Sequence, residues 1–192
     1  MIIILNGAPG VGKDTLGKMM AEQANLTIRS FKQPMFDIVE ATLGDSGFSK
    51  FMELYDNRLT KEQGTPLLGG LSPREFMIEI SEKWIKPRFG NDYFGCRFVA
   101  DLPVTGVVAT DGGFPDEVRP MLDVTQVVIV RLHRDGYGFA GDSRRFIIAE
   151  DFSDLPDWRK PTFLDVDLLS GEPQIAVEYI FNKLGIKVNE RI

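Results

Sequence analysis

The sequence predicts an α/β fold in three layers: a mostly parallel sheet, helices on both faces, and a small lid. Three observations lead there. The chain opens on an apolar run, Ile2-Ile3-Ile4-Leu5, with the unbroken hydrophobicity of a strand buried on both sides. A glycine-rich loop and then a helical pattern (Leu16, Met19, Met20) follow at once. Further on, short apolar runs alternate with segments of helical spacing, as in strand–helix–strand units.

The loop is Gly7-Ala8-Pro9-Gly10-Val11-Gly12-Lys13, with Gly7, Gly12 and Lys13 at the Gly-x4-Gly-Lys spacing of a phosphate-binding P-loop. Glycines let the backbone fold tightly enough for successive N–H groups to point inward at a phosphate. The helix from about Asp14 to Gln23 adds its positive end to the same pocket. Lys13 supplies a mobile positive charge for the β- and γ-phosphates of ATP. The fold class narrows to the P-loop NTPase arrangement. Gly7, Ala8, Gly10, Val11, Gly12, Lys13, Asp14 and Thr15 become the candidate ATP contacts. The position after the lysine usually carries Ser or Thr and here carries Asp14. A carboxylate is the better hard-cation ligand, so Asp14 is the candidate ligand for Mg²⁺, directly or through water, with Thr15 donating to a phosphate. The plainer reading is that Asp14 favours the helix N-terminus.

Element by element, strand Ile2 to Asn6 leads through the loop into the first helix, and Leu26 to Ser30 reads as a second short strand. From Met35 to Leu43 the spacing of Phe36, Val39 and Leu43 is helical, stopped by Gly44. Residues 44–72 are mixed, with a loop expected at Gly64-Thr65-Pro66 and Gly69-Gly70. Ser72 fits an N-cap, Pro73 the first helical position and Glu75 the capping-box residue of a helix. Its apolar face, Phe76, Met77, Ile80 and Trp84, runs on until Pro87. A helix is expected from Tyr93 to Asp101, and a short buried strand over Gly106 to Thr110, ending at Asp111. Asp116 and Glu117 open another helix near Met121. Val127 to Leu132 is the last clear apolar strand and Val177 to Leu184 the closing helix. The whole reads as one domain over 1–192, with an acceptor-binding excursion over about 31–100 and the lid over about 131–160.

Composition sets outer limits. A chain of 192 residues, 43% hydrophobic and 26% charged, has the make-up of an ordinary globular domain. A net charge of −6 without any dense Lys/Arg run argues against nucleic acid as a partner and for small phosphorylated substrates held by a few placed cations. No apolar stretch reaches membrane-spanning length and no signal peptide precedes the first strand, so no membrane partner is expected and a cytoplasmic location is. The single Cys96 cannot form an internal disulfide, in keeping with a reducing compartment. His133 is the one histidine, which argues against a histidine metal site or triad.

In open parallel sheets ligands bind outside the carboxyl ends of the strands. That rule selects the loop, the Asp111 turn and the residues after Val130. Asp111, behind Val107-Val108-Ala109, is placed to hold Mg²⁺ through water or to orient a substrate hydroxyl; a turn-forming Asp before two glycines is the alternative. Arg131 ends the last strand and is followed by Arg134, a glycine-spaced segment (Gly136, Gly138, Gly141), then Arg144-Arg145. A flexible loop flanked by arginines suits a closing lid that excludes water and brings guanidinium groups to the transferring phosphoryl. Arg131 and Arg144 are the catalytic candidates beside Lys13 and Asp111, and Arg145 is an ATP contact. Lys32, Arg74 and Arg88 are candidates for the acceptor phosphate. Trp84, Phe89 and Tyr93 are candidates to stack on a base, or else core aromatics.

Four blocks resemble the phage-type deoxynucleoside monophosphate kinases, a branch of the P-loop nucleotide kinases, over nearly the whole chain. They are the loop ending Gly10-Val11-Gly12-Lys13-Asp14-Thr15; Ser30-Phe31-Lys32-Gln33-Pro34; Ser72-Pro73-Arg74-Glu75-Phe76-Met77 with Phe89-Gly90-Asn91-Asp92-Tyr93; and Thr110-Asp111-Gly112-Gly113-Phe114-Pro115-Asp116-Glu117. The resemblance implies transfer of the γ-phosphoryl of ATP, with Mg²⁺, to a deoxynucleoside 5′-monophosphate (dNMP). It also implies a homodimer and a role in supplying DNA precursors, in the host cytoplasm if the chain is phage-encoded. Asp111 and Arg74 match the family's aspartate and helix arginine. Two departures stand out: the arginine two residues after that aspartate is Gly113 here, and the lid lacks the family's His-x-Ser-Glu pattern. Rival readings are a P-loop kinase for another small phosphorylated acceptor, of the phosphomevalonate or dephospho-coenzyme A type, and a nucleotide-sensing regulator that transfers nothing.

Overall fold

The apolar opening run forms β1 (Ile2–Gly7), every residue of it buried. A computed structural model describes residues 1–100, 102–142 and 144–189. In it β1 is the middle strand of a five-stranded sheet with β2 (Leu26–Arg29), β3 (Gly106–Ala109), β4 (Val127–His133) and β5 (Thr162–Asp167), in the order β2-β3-β1-β4-β5. All four pairings are parallel; β1 runs beside β3 from Ile2–Val107 to Ile4–Ala109 and beside β4 from Ile2–Val127 to Gly7–Leu132. Parallel neighbours require crossovers, and helices supply them on both faces. This is the parallel α/β architecture that the alternating pattern predicts.

Alternation along β1 divides the core. Ile3 and Leu5 pack with Leu16 and Met20 of α1 (Lys13–Gln23) and with Val177, Ile180 and Phe181 of α7 (Pro173–Leu184). Ile2, Ile4 and Asn6 point to the opposite face, and α6 (Pro115–Leu122) buries Val118 and Met121.

Contacts divide the chain into Met1–Phe31 with Gly95 onward, which holds the sheet, and Lys32–Phe94. The second unit starts with α2 (Gln33–Asp56), whose helical path breaks at Gly44 (φ 68°, ψ 172°). The first helical segment stops at Gly44 as expected, and a second segment resumes across the kink, so residues 45–56, expected to be mixed, are helical. Their reason is aromatic: Phe51 is fully buried and its ring lies 5.6 to 6.5 Å from those of Phe36, Phe48, Tyr55 and Phe76. The capping box at Ser72 and Glu75 opens α3 (Pro73–Ile78) as predicted. The helix then widens into a π-helical stretch, Glu79–Ile85, and passes through Pro87 in α4 (Lys86–Phe89), where a stop was expected. The wider turn eases the clash and the missing N–H that a proline brings to an α-helix.

α5 (Tyr93–Ala100) returns the chain to the sheet unit. Asp101, the expected end of this helix, lies outside the described residues.

Candidate active site

The parallel strands all end at one edge of the sheet, and three of those ends carry the candidate site residues. At the first, β1 turns into the phosphate loop. Ala8 and Val11 are buried and anchor the loop from below, while Gly12 precedes α1 in a left-handed conformation (φ 117°, ψ 13°) that a residue with a side chain rarely adopts. Lys13, the first residue of α1, is 8% exposed and its Nζ donates to the carbonyls of Gly7 at 2.7 Å and Ala8 at 2.8 Å. Those bonds compensate the burial of an ammonium group. They also hold the charge inside the loop's curve, where a triphosphate would exchange carbonyl oxygens for phosphate oxygens.

In the first turn of α1, Asp14 and Thr15 are exposed. The Thr110 hydroxyl, just beyond β3, donates to Asp14 Oδ1 at 2.6 Å. No group of three or more His, Cys, Asp or Glu side chains gathers among the described residues. An ion held by Asp14 would complete its shell with water and phosphate oxygens, a donor set that suits Mg²⁺. The second strand end carries Asp111, whose Oδ2 accepts from the Ser30 hydroxyl at 2.5 Å and whose Oδ1 accepts from the Phe31 N–H at 3.1 Å. The carboxylate thus joins the ends of β2 and β3.

The arginines gather behind the third. Arg131 Nη2 donates to Asp165 at 2.5 Å, and His133, its ring tilted against that of Phe146, meets the same carboxylate at 2.7 Å. The Arg131 guanidinium, with His133 adding to it against a burial penalty, holds Asp165 below its ordinary value. Arg134 reaches Ser170 at 3.1 Å. Arg144 donates from Nε and Nη2 to the two oxygens of Asp142, at 2.8 and 2.7 Å. Arg145 makes a two-pronged pair with Asp151, where burial opposes ionisation but Arg145 and the Ile148 N–H outweigh it and keep the carboxyl low. Each guanidinium is oriented by a carboxylate or a hydroxyl.

Lys13, Asp14, Thr15, Asp111, Arg131, Arg144 and Arg145 all belong to the sheet unit. Lys32, Arg74, Trp84 and Arg88 belong to Lys32–Phe94. There Arg74 pairs with Glu62 at 3.3 Å, and Arg88 caps the π-helical stretch by donating to the carbonyls of Lys83 and Trp84. Trp84 is 47% and Phe89 57% exposed, so neither is a core aromatic. Asn6 escaped the sequence reading. Its side chain is fully buried and bonds to Gly112, Arg145 and Ile147. The available signal was an amide interrupting an apolar strand one residue before the loop.

Fold and site together place a Gly-x4-Gly-Lys loop, its lysine turned into the loop, at the carboxyl edge of a parallel sheet beside Asp14 and Asp111. No protein-family profile matches the chain. Along its whole length it is similar to a "Putative adenylate kinase" of Thermococcus kodakarensis, with 24% identity over 194 aligned positions and 90% of that protein covered. Among solved structures it aligns with a sugar kinase from Janibacter sp. HTCC2649 (TM-score 0.42, 13% identity, 96% of this chain and 94% of that one). It also aligns with the shikimate kinase of Bacteroides thetaiotaomicron (TM-score 0.39, 15% identity, 96% and 98%).

Proposed function

We propose that the chain is an ATP-dependent nucleoside monophosphate kinase whose acceptor is a dNMP. Phosphoryl transfer needs little covalent chemistry from the protein, so positioning and charge neutralisation carry it. The observation that carries the reading is Lys13, held inside the Gly7–Gly12 loop by the Gly7 and Ala8 carbonyls. In this reading Lys13 grips the β- and γ-phosphates. Asp14, kept in place by Thr110, holds Mg²⁺, which supplies charge neutralisation on the phosphate oxygens when bound. Asp111 positions the acceptor, and Arg131, Arg144 and Arg145 face the transferring phosphoryl. Lys32, Arg74, Arg88 and Trp84 serve the acceptor. The full-length similarity to a protein described as a "Putative adenylate kinase" supports a nucleoside monophosphate acceptor; the resemblance carried by the four sequence blocks favours the deoxy form. A homodimer in the cytoplasm completes the proposal.

The test is ADP formation from Mg-ATP with each common deoxynucleoside and ribonucleoside monophosphate in turn. Turnover that requires a deoxynucleoside monophosphate supports the reading. Turnover with ribonucleotides alone replaces the acceptor. ATP binding without turnover on any acceptor overturns the kinase reading in favour of a sensor.

A further inference from the structure

Asn6 is the one polar side chain in β1, and it is fully buried. Its Oδ1 accepts from the Ile147 N–H at 2.8 Å, and its Nδ2 donates to the carbonyls of Arg145 at 3.1 Å and Gly112 at 3.4 Å. With one N–H and two carbonyls as partners, a single orientation of the amide satisfies all three. A carboxamide costs desolvation that Leu or Ile would not, so its value lies in what it ties together.

Two of those bonds end on the neighbours of Gly113 and Arg144, and these two residues touch. A Cβ on Gly113 would lie 2.6 Å from Arg144 Cδ and 2.7 Å from its Cγ, so the absence of a side chain at 113 is what admits the arginine stem. Asp142, whose side chain is 4% exposed, then fixes the plane of the Arg144 guanidinium through a two-pronged bond.

We propose that Asn6 is a positioning residue that holds Arg144 across Gly113, at the strand edge where the phosphoryl group is transferred. The inference rests on the kinase reading. In that reaction an acceptor phosphate oxygen bonds to the γ-phosphorus while the bond to the β,γ-bridging oxygen breaks, its electron pair leaving with ADP. Arg144 takes no proton and stabilises charge on the oxygens in flight; Asn6 acts only through it. Because Asn6 directly precedes Gly7, one strand supports both the loop cation and the arginine, a rigid base for two charges that must keep their spacing. Gly113 is then a site whose missing side chain makes room for a cation delivered from a distant part of the chain.

The experiment uses Asn6→Asp in the full chain, which keeps the acceptor for Ile147 and sets a second oxygen against two carbonyls. The expected result is a kcat at least about tenfold below wild type with the KM for ATP within about threefold. Added to Arg144→Ala, the same substitution should cost no more than about twofold further, because the two residues act as one. If Asn6→Asp does not fold, Gly113→Ala displaces the Arg144 stem from the other side and must give the same kcat loss at unchanged KM for ATP. Losses that multiply in the double variant overturn the inference, as does a kcat within twofold of wild type in Asn6→Asp or Gly113→Ala. A wild-type protein silent with every acceptor brings down the kinase reading and this inference with it. An active wild type whose variants are indifferent brings down the inference alone.

Discussion

The Thr110 hydroxyl donates to Asp14 at 2.6 Å, joining the residue just past β3 to the first turn of the helix behind the phosphate loop. A carboxylate in that turn is already favoured by the helix dipole; the hydroxyl adds orientation. If Asp14 holds the metal, Asp14→Asn should raise the Mg²⁺ concentration for half-maximal ADP formation at least about tenfold, on the scale of losing one charged ligand. Thr110→Val should produce a smaller rise, because it removes one hydrogen bond worth about 1 kcal/mol and leaves the charge. Magnesium titrations of initial rate separate the two, and an unchanged Mg²⁺ dependence in Asp14→Asn removes Asp14 from the metal site.

Lys13→Ala should cut turnover at least about 100-fold, the scale of losing one preorganised electrostatic stabiliser. The Gly7 and Ala8 carbonyls that Lys13 now satisfies would turn to water. Steady-state rates at saturating Mg-ATP, with circular dichroism to confirm folding, check this. Near-normal turnover from a folded variant would remove the loop from the mechanism.

Acid should loosen the arginine-bearing segment through Asp151. Its folded carboxyl lies below the ordinary value of 3.8, so the stability it contributes is complete above that value and is lost as pH falls through the folded one. Thermal melts from pH 6 down to pH 2 should show Asp151→Asn less stable than wild type at the upper end. The two curves should converge at the lower end. Curves that stay parallel down to the lower end would mean that ionisation of Asp151 contributes no pH-dependent stability.

In the unit Lys32–Phe94, Phe51 is the ring the others pack around. Phe51→Ala should cost about 3–5 kcal/mol, the range for removing a buried aromatic side chain. Denaturant unfolding followed by the far-ultraviolet signal measures it. A loss below about 1 kcal/mol would mean that the aromatic cluster does not hold the unit together.

Much of the frame was legible in the sequence because the decisive signals are local. Ile2 to Leu5, the glycine spacing and the first-turn residues lie within one short stretch. β5 was not legible: Thr162-Phe163-Leu164-Asp165-Val166-Asp167 mixes acids with apolar residues, and as an edge strand it buries little besides Val166. The second half of α2 was hidden behind Gly44, where the first helical segment stops and a second one starts. Asn6 was hidden for a different reason. Its partners lie 106, 139 and 141 residues away, and no window along the chain contains both ends of those bonds.

The order of strands has a consequence for how the chain is made. β1 leaves the ribosome before either of its two neighbours, β3, starting at Gly106, and β4, starting at Val127. Until the second of these emerges, Ile-Ile-Ile-Leu has an open hydrogen-bonding edge and nowhere native to put it, the condition under which nascent chains stick to one another. The strand that carries the Gly7–Lys13 loop is synthesised about a hundred residues ahead of either strand that encloses it.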